Sequence, residues 1–239
     1  MTQNLSAVIL GTRSGPRLTT PIPMLPFGES TVLTRTLASY LEAGFAQVIV
    51  VLGSQAEEIR ASLSPLGDRV RVVETAGGDD RFAEMVRVGV EALSGGSQGI
   101  VLGLGDQPLL SSEILTSLSA RFAESQAKVL VPTWHGHVGH PIWLRGTLAG
   151  ELTRLGPDAE SWEILQAHAK DLLDVEVPFT AVVRRIEDRA DYYDLLRMAG
   201  LPVPESPAPE VAMEAAYSGN GGQPDPGRVA SFGGDPDED

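Results

Sequence analysis

The sequence predicts a three-layer α/β/α sandwich built on a Rossmann-like, mostly parallel sheet. Short apolar runs alternate with segments of helical periodicity through most of the 239 residues. This alternation is typical of βαβ units, in which right-handed helical crossovers join parallel strands. Apolar residues make up 42% of the chain, which is enough for a sizeable core.

The first 131 residues supply most of the predicted strands and helices. Apolar or β-branched runs predict strands at 7–10, 47–52, 69–74, 100–104 and 129–131. Apolar residues at helical spacing predict helices at 30–43, 56–63, 81–93 and 113–125. Gly44 is expected to end the first helix, and Ser111 or Ser112 is expected to cap the last one.

Two pairs of acidic residues lie near predicted helix starts, Glu57-Glu58 and Asp79-Asp80. Carboxylates are favourable at the positive end of the helix dipole. Both pairs are therefore interpreted as helix-start acids.

The pattern changes after residue 132. Residues 139–144 predict a strand entered from a turn, with an antiparallel direction as an option, and 173–183 predict an extended segment. Helices are expected at 159–169 and 189–199. From residue 202 onward Pro, Gly, Ala and acidic residues dominate, a composition too poor in apolar residues to hold a fold. The chain is therefore divided into a domain (1–201) and a disordered acidic tail (202–239).

Composition excludes several classes of function. The net charge of −14 argues against a sequence-independent grip on nucleic acid, and no apolar run is long enough to cross a bilayer. The chain has no cysteine, and its first residues lack the basic start of a signal peptide. A cytoplasmic location is expected.

Two loops follow buried strands and are expected to meet at one edge of the sheet. In open parallel sheets, ligands bind beyond the carboxyl ends of the strands. Asp106, which follows the run 100–104 after Gly105, is well placed there to hold a metal ion on a phosphate; an ordinary turn is the alternative. The loop after strand 7–10 contains glycines, whose backbone N–H groups can contact phosphates, together with Arg13 and Arg17. An ordinary polar loop is the alternative here.

These motifs resemble, in order, those of the MobA-like nucleotidyltransferases, particularly the molybdenum-cofactor cytidylyltransferase branch. The resemblance spans roughly residues 5–198. The matching segments are the strand 7–10, Arg17-Leu18, Leu-Pro-Phe-Gly at 25–28, Ala-Gly at 43–44, the apolar strand at 48–53, Gly-Asp-Gln-Pro at 105–108, Gly-His-Pro at 139–141, Arg-Ile-Glu at 185–187 and Ala-Asp-Tyr at 190–192.

The resemblance implies a fold of the nucleotide-diphospho-sugar transferase type and a role in molybdenum-cofactor maturation. Such a protein transfers a nucleotide from CTP or GTP to a phosphorylated pterin with Mg²⁺ and releases pyrophosphate; a molybdoenzyme or its chaperone is a further possible partner. The resemblance implies that Arg17 and Asp106 are catalytic and that Asp106 and Glu187 hold Mg²⁺. The nucleotide and acceptor would be bound by Leu10, Gly11, Thr12, Arg13, Arg17 and His140, with His140 facing the acceptor.

Several residues depart from the family pattern at the site itself. The signature lysine falls at Ile22, and no lysine occurs before Lys128. A family glycine becomes Arg13, and the two acids of the closing segment become Arg185 and Glu187. These departures keep a second hypothesis open, that of a catalytically impaired member that binds nucleotide, cofactor or a partner protein. A sugar-1-phosphate nucleotidyltransferase is a third possibility, but the Gly-His-Pro segment argues against it.

Three histidines within six residues form the remaining candidate site. His135, His137 and His140 could bind zinc if a turn gathered them. In an extended chain His140 would point away from the other two. We favour pocket lining for His140 and surface positions for the others. Trp134 and Trp143, which flank the group, are interpreted as core aromatics, with a pterin-stacking platform as the alternative.

Overall fold

The computed structural model describes residues 2–12, 20–78 and 80–204. The strands are β1 (Leu5–Leu10), β2 (Pro26–Phe27), β3 (Ser30–Thr31), β4 (Gln47–Leu52), β5 (Arg71–Glu74), β6 (Gly99–Leu104), β7 (Val129–Trp134), β8 (His137–Val138), β9 (Ile142–Arg145) and β10 (Leu172–Glu176). The helices are α1 (Val32–Ala43), α2 (Ala56–Ser62), α3 (Phe82–Glu91), α4 (Ser112–Glu124), α5 (Ala149–Leu152), α6 (Ser161–Ala167) and α7 (Arg189–Met198).

A single large sheet forms the middle of the molecule. Its strands lie in the order β5-β4-β1-β6-β9-β7-β10, and β8 pairs with the end of β7. Four pairs of neighbours are parallel: β1 with β4, β1 with β6, β4 with β5, and β7 with β10. β9 runs antiparallel to both β6 and β7. The predicted mostly parallel sheet is confirmed, and the strand near 139–144 takes the antiparallel option.

Helices cover both faces of this sheet. All six residues of β1 are buried, which is typical of a strand covered on both sides. Ala7 and Ile9 of β1 pack in one core with residues of α1 and α4, whereas Val8 packs in a second core with residues of α3. Successive side chains of a strand point to opposite faces, so one strand contributes to both cores. The predicted three-layer sandwich is confirmed.

A third, smaller core joins the C-terminal helix to the segment that precedes α1. Its buried members are Ile22, Leu25, Phe27, Val32, Ile186, Tyr192, Leu195 and Leu196. The Tyr192 hydroxyl donates a hydrogen bond to the Pro26 carbonyl oxygen at 2.6 Å. Asp188 caps α7, since its carboxylate accepts a hydrogen bond from the Asp191 N–H at 3.0 Å. The chain just before α7 is thereby held against the N-terminal part of the molecule.

Helix α1 begins two residues later than the prediction of 30–43. Ser30 and Thr31 belong to the short hairpin β2–β3, whose turn contains Gly28 at a φ of 66°. The Thr31 side chain caps the helix by accepting a hydrogen bond from the Thr34 N–H at 3.2 Å. The cap therefore lies one residue inside the predicted helix. Gly44 ends α1 as expected.

The prediction of an extended segment over 173–183 is correct only as far as the end of β10. The chain then forms a 3-10 turn at Thr180–Val182. The Val182 carbonyl oxygen accepts hydrogen bonds from the His140 N–H at 2.8 Å and from the Gln107 amide at 2.9 Å. Contacts with residues far along the chain stabilise this turn, so local periodicity could not reveal it.

Some predictions fall on residues outside the described ranges. Arg13, Arg17 and Asp79 are among them, and so is the predicted tail from residue 205 onward. The last described residues still contact the domain, since Leu201 and Val203 pack against the third core. Within the part of the chain that the structure describes, no helix is long and apolar enough to span a bilayer.

Candidate active site

The loops after β1 and β6 leave the sheet side by side. The Gly11 N–H donates to the Val51 carbonyl oxygen at 2.8 Å, and the Gly105 N–H donates to the Leu10 carbonyl oxygen at 2.9 Å. A Cβ at Gly11 would lie 2.6 Å from Val50 Cγ2, and one at Gly105 would lie 3.0 Å from Gly11 Cα. A side chain at Gly11 would displace β4, and one at Gly105 would push against the backbone of the neighbouring loop at Gly11, so glycine permits the close approach at both positions.

A cavity of about 510 Å³ opens at this edge of the sheet. Its volume lies within the range typical of sites for small molecules and cofactors. It is lined by residues from the carboxyl ends of β1 and β6, the start of α3, and the segments near 140, 160 and 185: Leu10, Gly11, Thr12, Ile22, Pro23, Asp80, Arg81, Phe82, Met85, Leu104, Gly105, Asp106, His140, Glu160, Ser161 and Arg185.

Most of the predicted site residues that the structure describes lie at this cavity. Those that line it are Leu10, Gly11, Thr12, Asp106 and His140. Glu187 is exposed and is not among the described residues that line the cavity. Its backbone N–H donates to the Asp191 carboxylate at 3.0 Å, at the start of α7. The predicted partners Arg13 and Arg17 lie outside the described residues.

Asp106 lies against a guanidinium group. The Arg185 Nε is 3.4 Å from Asp106 Oδ2, and the two side chains are 26% and 6% exposed. Asp106 follows β6, whereas Arg185 comes from the segment held by the third core, 79 residues further along the chain. The pairing therefore depends on the tertiary fold. It gives the cavity one carboxylate and one guanidinium in contact.

The Gly-Asp-Gln-Pro segment at 105–108 and the Gly-His-Pro segment at 139–141 both donate a hydrogen bond to the same backbone carbonyl oxygen. The Val182 carbonyl oxygen accepts from the His140 N–H and from the buried Gln107 side chain, as described above. A Cβ at Gly139 would lie 2.5 Å from the same oxygen, so this position also requires glycine. The 3-10 turn at Thr180–Val182 thus holds the residues that flank Asp106 and His140 in a fixed relation.

The other two nearby histidines lie away from the cavity. His135 and His137 are exposed, on the turn and the strand that follow β7. The His135 N–H donates to Glu176 Oε1 at 2.7 Å, and this bond, helped by the Thr133 hydroxyl, lowers the pKa of the Glu176 carboxyl. Among the residues described, no group of three or more His, Cys, Asp or Glu is arranged to hold a metal ion, so the three-histidine zinc alternative gains no support.

Of the two flanking tryptophans, Trp143 is a core residue. Its side chain is fully buried, and the indole N–H donates to the Ser119 hydroxyl at 3.1 Å. Trp134 is half-buried and packs edge-on against the His135 ring, with ring centroids 4.5 Å apart. Neither tryptophan is among the described residues that line the cavity.

Asp80 has a role that the sequence analysis missed. Its carboxylate accepts hydrogen bonds from the Thr12 hydroxyl at 2.5 Å and from the Ser54 N–H at 3.1 Å. The Thr12 hydroxyl in turn accepts from the Gly53 N–H at 2.8 Å. Asp80 lies just before the N-cap of α3, as the prediction of a helix-start acid requires, and the structure adds that its carboxylate binds the ends of β1 and β4. Its partners lie 26 and 68 residues away, so no local pattern marks it.

Comparison with known proteins finds one matching family model and several similar solved structures. The family model described as the MobA-like NTP transferase domain matches residues 7–173. The chain is 30% identical to Rv0371c from Mycobacterium tuberculosis H37Rv, whose crystal structure superimposes with a TM-score of 0.72 over 82% of this chain and 100% of that chain. A second structure of Rv0371c, in complex with manganese, gives a TM-score of 0.65 at 30% identity over 81% of this chain and 98% of that one.

Curated relatives are more distant and much longer. The bifunctional protein GlmU from Chelativorans sp. (strain BNC1) is 27% identical over an alignment of 148 residues, and the match covers 55% of this chain and 31% of that protein. The chain thus spans about a third of the length of the curated relatives that it matches. The likeness is to one part of those proteins.

Proposed function

The chain belongs to the MobA-like NTP transferase family, and we propose that it transfers a nucleotide from CTP or GTP to a molybdopterin-type cofactor. In this reaction a phosphate oxygen of the pterin attacks the α-phosphorus of the nucleotide. The new P–O bond forms as the bond to the β-phosphate breaks, and pyrophosphate leaves. One observation carries the proposal: a cavity at the carboxyl ends of β1 and β6 brings together Thr12, Asp106, His140 and Arg185.

The chain's contribution to such a reaction is positioning and charge neutralisation. We propose that the nucleotide lies against the loop that starts at Leu10, Gly11 and Thr12, with Arg13 and Arg17 on its triphosphate. His140 would face the acceptor. The 3-10 turn that holds His140 and the residue after Asp106 supports this arrangement, since it keeps the acceptor side and the phosphate side of the cavity in register.

One carboxylate at the cavity, that of Asp106, is of the kind that binds a divalent cation shared with nucleotide phosphates. Mg²⁺ is commonly held by one or two carboxylates together with substrate phosphates and water. Asp106 supplies one such carboxylate, and we propose Glu187 as the second. When bound, the ion would offset the negative charge that builds up on the phosphates. The manganese in one Rv0371c structure supports a divalent cation in this family; we propose Mg²⁺ for this chain.

A second candidate function is that of a catalytically impaired member that binds nucleotide, cofactor or a partner protein. One observation favours it. Ile22, which stands at the position of the signature lysine, is 1% exposed and belongs to an apolar core. On either hypothesis a molybdoenzyme or its chaperone is the proposed protein partner. We expect neither nucleic acid nor a membrane as a partner, and we place the protein in the cytoplasm, where nucleoside triphosphates are available.

Calorimetric titration with CTP and with GTP, each with and without Mg²⁺, separates the two functions. We expect Mg²⁺-dependent binding of one nucleotide, weakened at least roughly tenfold by Asp106→Ala because a ligand of the ion is lost. Asp68→Ala, at an exposed carboxylate outside the cavity, is the matched control. If a protein that melts cooperatively binds neither nucleotide, the transferase proposal is overturned.

The acceptor is tested separately, by incubating the protein with the bound nucleotide and molybdopterin and measuring pyrophosphate. We expect release that depends on both substrates and that Asp106→Ala slows by about 10²–10³-fold, because preorganised stabilisation of the developing charge is lost. Tight nucleotide binding without pyrophosphate release would favour the impaired, binding-only member.

A further inference from the structure

The ion pair between Asp106 and Arg185 lies inside the cavity rather than on the surface. Both side chains line the cavity, and the carboxylate is almost fully buried. A guanidinium group remains protonated at any pH at which the protein is folded. The carboxylate at the end of β6 therefore has a permanent positive charge beside it before any ligand arrives.

The backbone around Arg185 keeps this charge in place. On one side, the Arg184 N–H donates to the Thr180 carbonyl oxygen at 3.0 Å, at the 3-10 turn. On the other side, Ile186 is fully buried in the third core and Asp188 caps α7. The main chain is anchored before and after Arg185, whereas its side chain remains 26% exposed and borders open cavity space. The guanidinium can thus change partners without a change in the fold.

We propose that Arg185 competes with the divalent cation for Asp106, so that the cation binds together with nucleotide phosphates and not ahead of them. The inference rests on the proposed function of the cavity. A guanidinium in contact with a carboxylate disfavours a second cation there through like-charge repulsion. Arginine also binds phosphate through two parallel N–H···O bonds. When a triphosphate enters, Arg185 moves to the phosphates and leaves Asp106 to the cation.

This exchange makes the binding of cation and nucleotide cooperative. Each ligand raises the affinity for the other by the same factor, since coupling between two binding equilibria is reciprocal. Replacing Arg185 by an uncharged residue removes the competitor. The cation should then bind in the absence of nucleotide, and the nucleotide should raise the affinity for the cation by a smaller factor.

Calorimetric titration with Mn²⁺ in the absence of nucleotide tests the proposal. We expect Arg185→Gln to raise the affinity for Mn²⁺ by roughly tenfold or more over the unmodified protein, because a contacting positive charge is removed. Arg185→Lys keeps the charge and should leave Mn²⁺ affinity low. Arg184→Gln removes the same charge from the exposed neighbouring position and is the matched control. Adding Asp106→Asn to Arg185→Gln should abolish the gain.

A second titration repeats these measurements with a saturating, non-hydrolysable analogue of the nucleotide that the protein binds. The analogue should raise Mn²⁺ affinity strongly in the unmodified protein and only weakly in Arg185→Gln. The proposal is overturned if Arg185→Gln, with an unchanged cooperative melt, binds Mn²⁺ no better than Arg184→Gln. That result would leave the transferase intact, whereas failure of all nucleotides to bind would overturn the proposed function and, with it, the exchange of Arg185 from Asp106 to the phosphates.

Discussion

At the scale of single residues, Ile22 differs most from what nucleotide chemistry requires. It stands where the resemblance places a lysine, and its side chain both packs in the third core and lines the cavity. A lysine here would have to bury its aliphatic stem and extend its ammonium group toward the phosphates, as long basic side chains do at apolar surfaces. The cavity borders this position.

Ile22→Lys should therefore raise the affinity for CTP or GTP by roughly tenfold, through a charged contact with the triphosphate. It should also lower the free energy of unfolding by about 1–3 kcal/mol, because a polar group enters an apolar core. Calorimetric titration and urea denaturation measure the two effects. Ile22→Met changes shape without charge and should leave affinity unchanged. A stable Ile22→Lys protein with no gain for either nucleotide would mean that the pocket has diverged more broadly.

At the scale of the elements, the cavity depends on a hydrogen-bonded link between β1, β4 and the start of α3. Asp80 precedes α3, and its carboxylate binds Thr12 after β1 and Ser54 after β4. Thr12 is buried, and its hydroxyl also accepts from the Gly53 N–H. Three elements that meet only in the folded protein are thus joined through one side chain.

Asp80→Asn should lower the free energy of unfolding by about 1–3 kcal/mol, since hydrogen bonds to a charged acceptor are weakened. Urea denaturation measures the loss, and Asp68→Asn, at an exposed position, should change stability by no more than about 0.5 kcal/mol. The Ser54 hydroxyl also donates a hydrogen bond to the Asp80 carboxylate. In a double-mutant cycle with Ser54→Ala, which removes this hydroxyl, the two changes should be non-additive by about 0.5–3 kcal/mol. Strict additivity would show that Asp80 acts without Ser54.

At the scale of the whole molecule, the described fold ends with a short segment that still contacts the domain. Leu201 and Val203 pack against the third core, beyond the end of α7. The sequence predicts that the domain ends at residue 201 and that 202–239 form a tail. Val203, two residues beyond that boundary, therefore contacts the domain.

A protein that ends at residue 204 should melt within about 2 °C of the full chain and bind nucleotide with the same affinity. A protein that ends at Met198 loses the contacts of Leu201 and Val203 with the third core and should melt several degrees lower, by roughly 4 °C or more. Differential scanning calorimetry compares the three. A large loss of stability or affinity on removing 205–239 would show that the tail belongs to the working protein.

The sequence alone predicted the mostly parallel sheet, most of the helices and the edge of the sheet at which the cavity opens. Largely apolar runs mark β1, β4 and β6, because a strand covered on both faces needs apolar side chains on both. Asp106 was predicted to lie at the cavity because the carboxyl ends of parallel strands share one edge of the sheet. These predictions succeed since strand periodicity and chain direction are local properties.

The tertiary structure determined which residues from distant parts of the chain meet at the cavity. Arg185 contacts Asp106, which lies 79 residues earlier in the sequence, and Asp80 contacts Thr12, which lies 68 residues earlier. The turn at Thr180–Val182 is tied to the site through the Val182 carbonyl oxygen, which accepts hydrogen bonds from the Gln107 side chain and the His140 N–H. The free energy of such contacts comes from groups that only folding brings together. No local pattern in the chain encodes them, and they determine the charge that the cavity presents to a ligand.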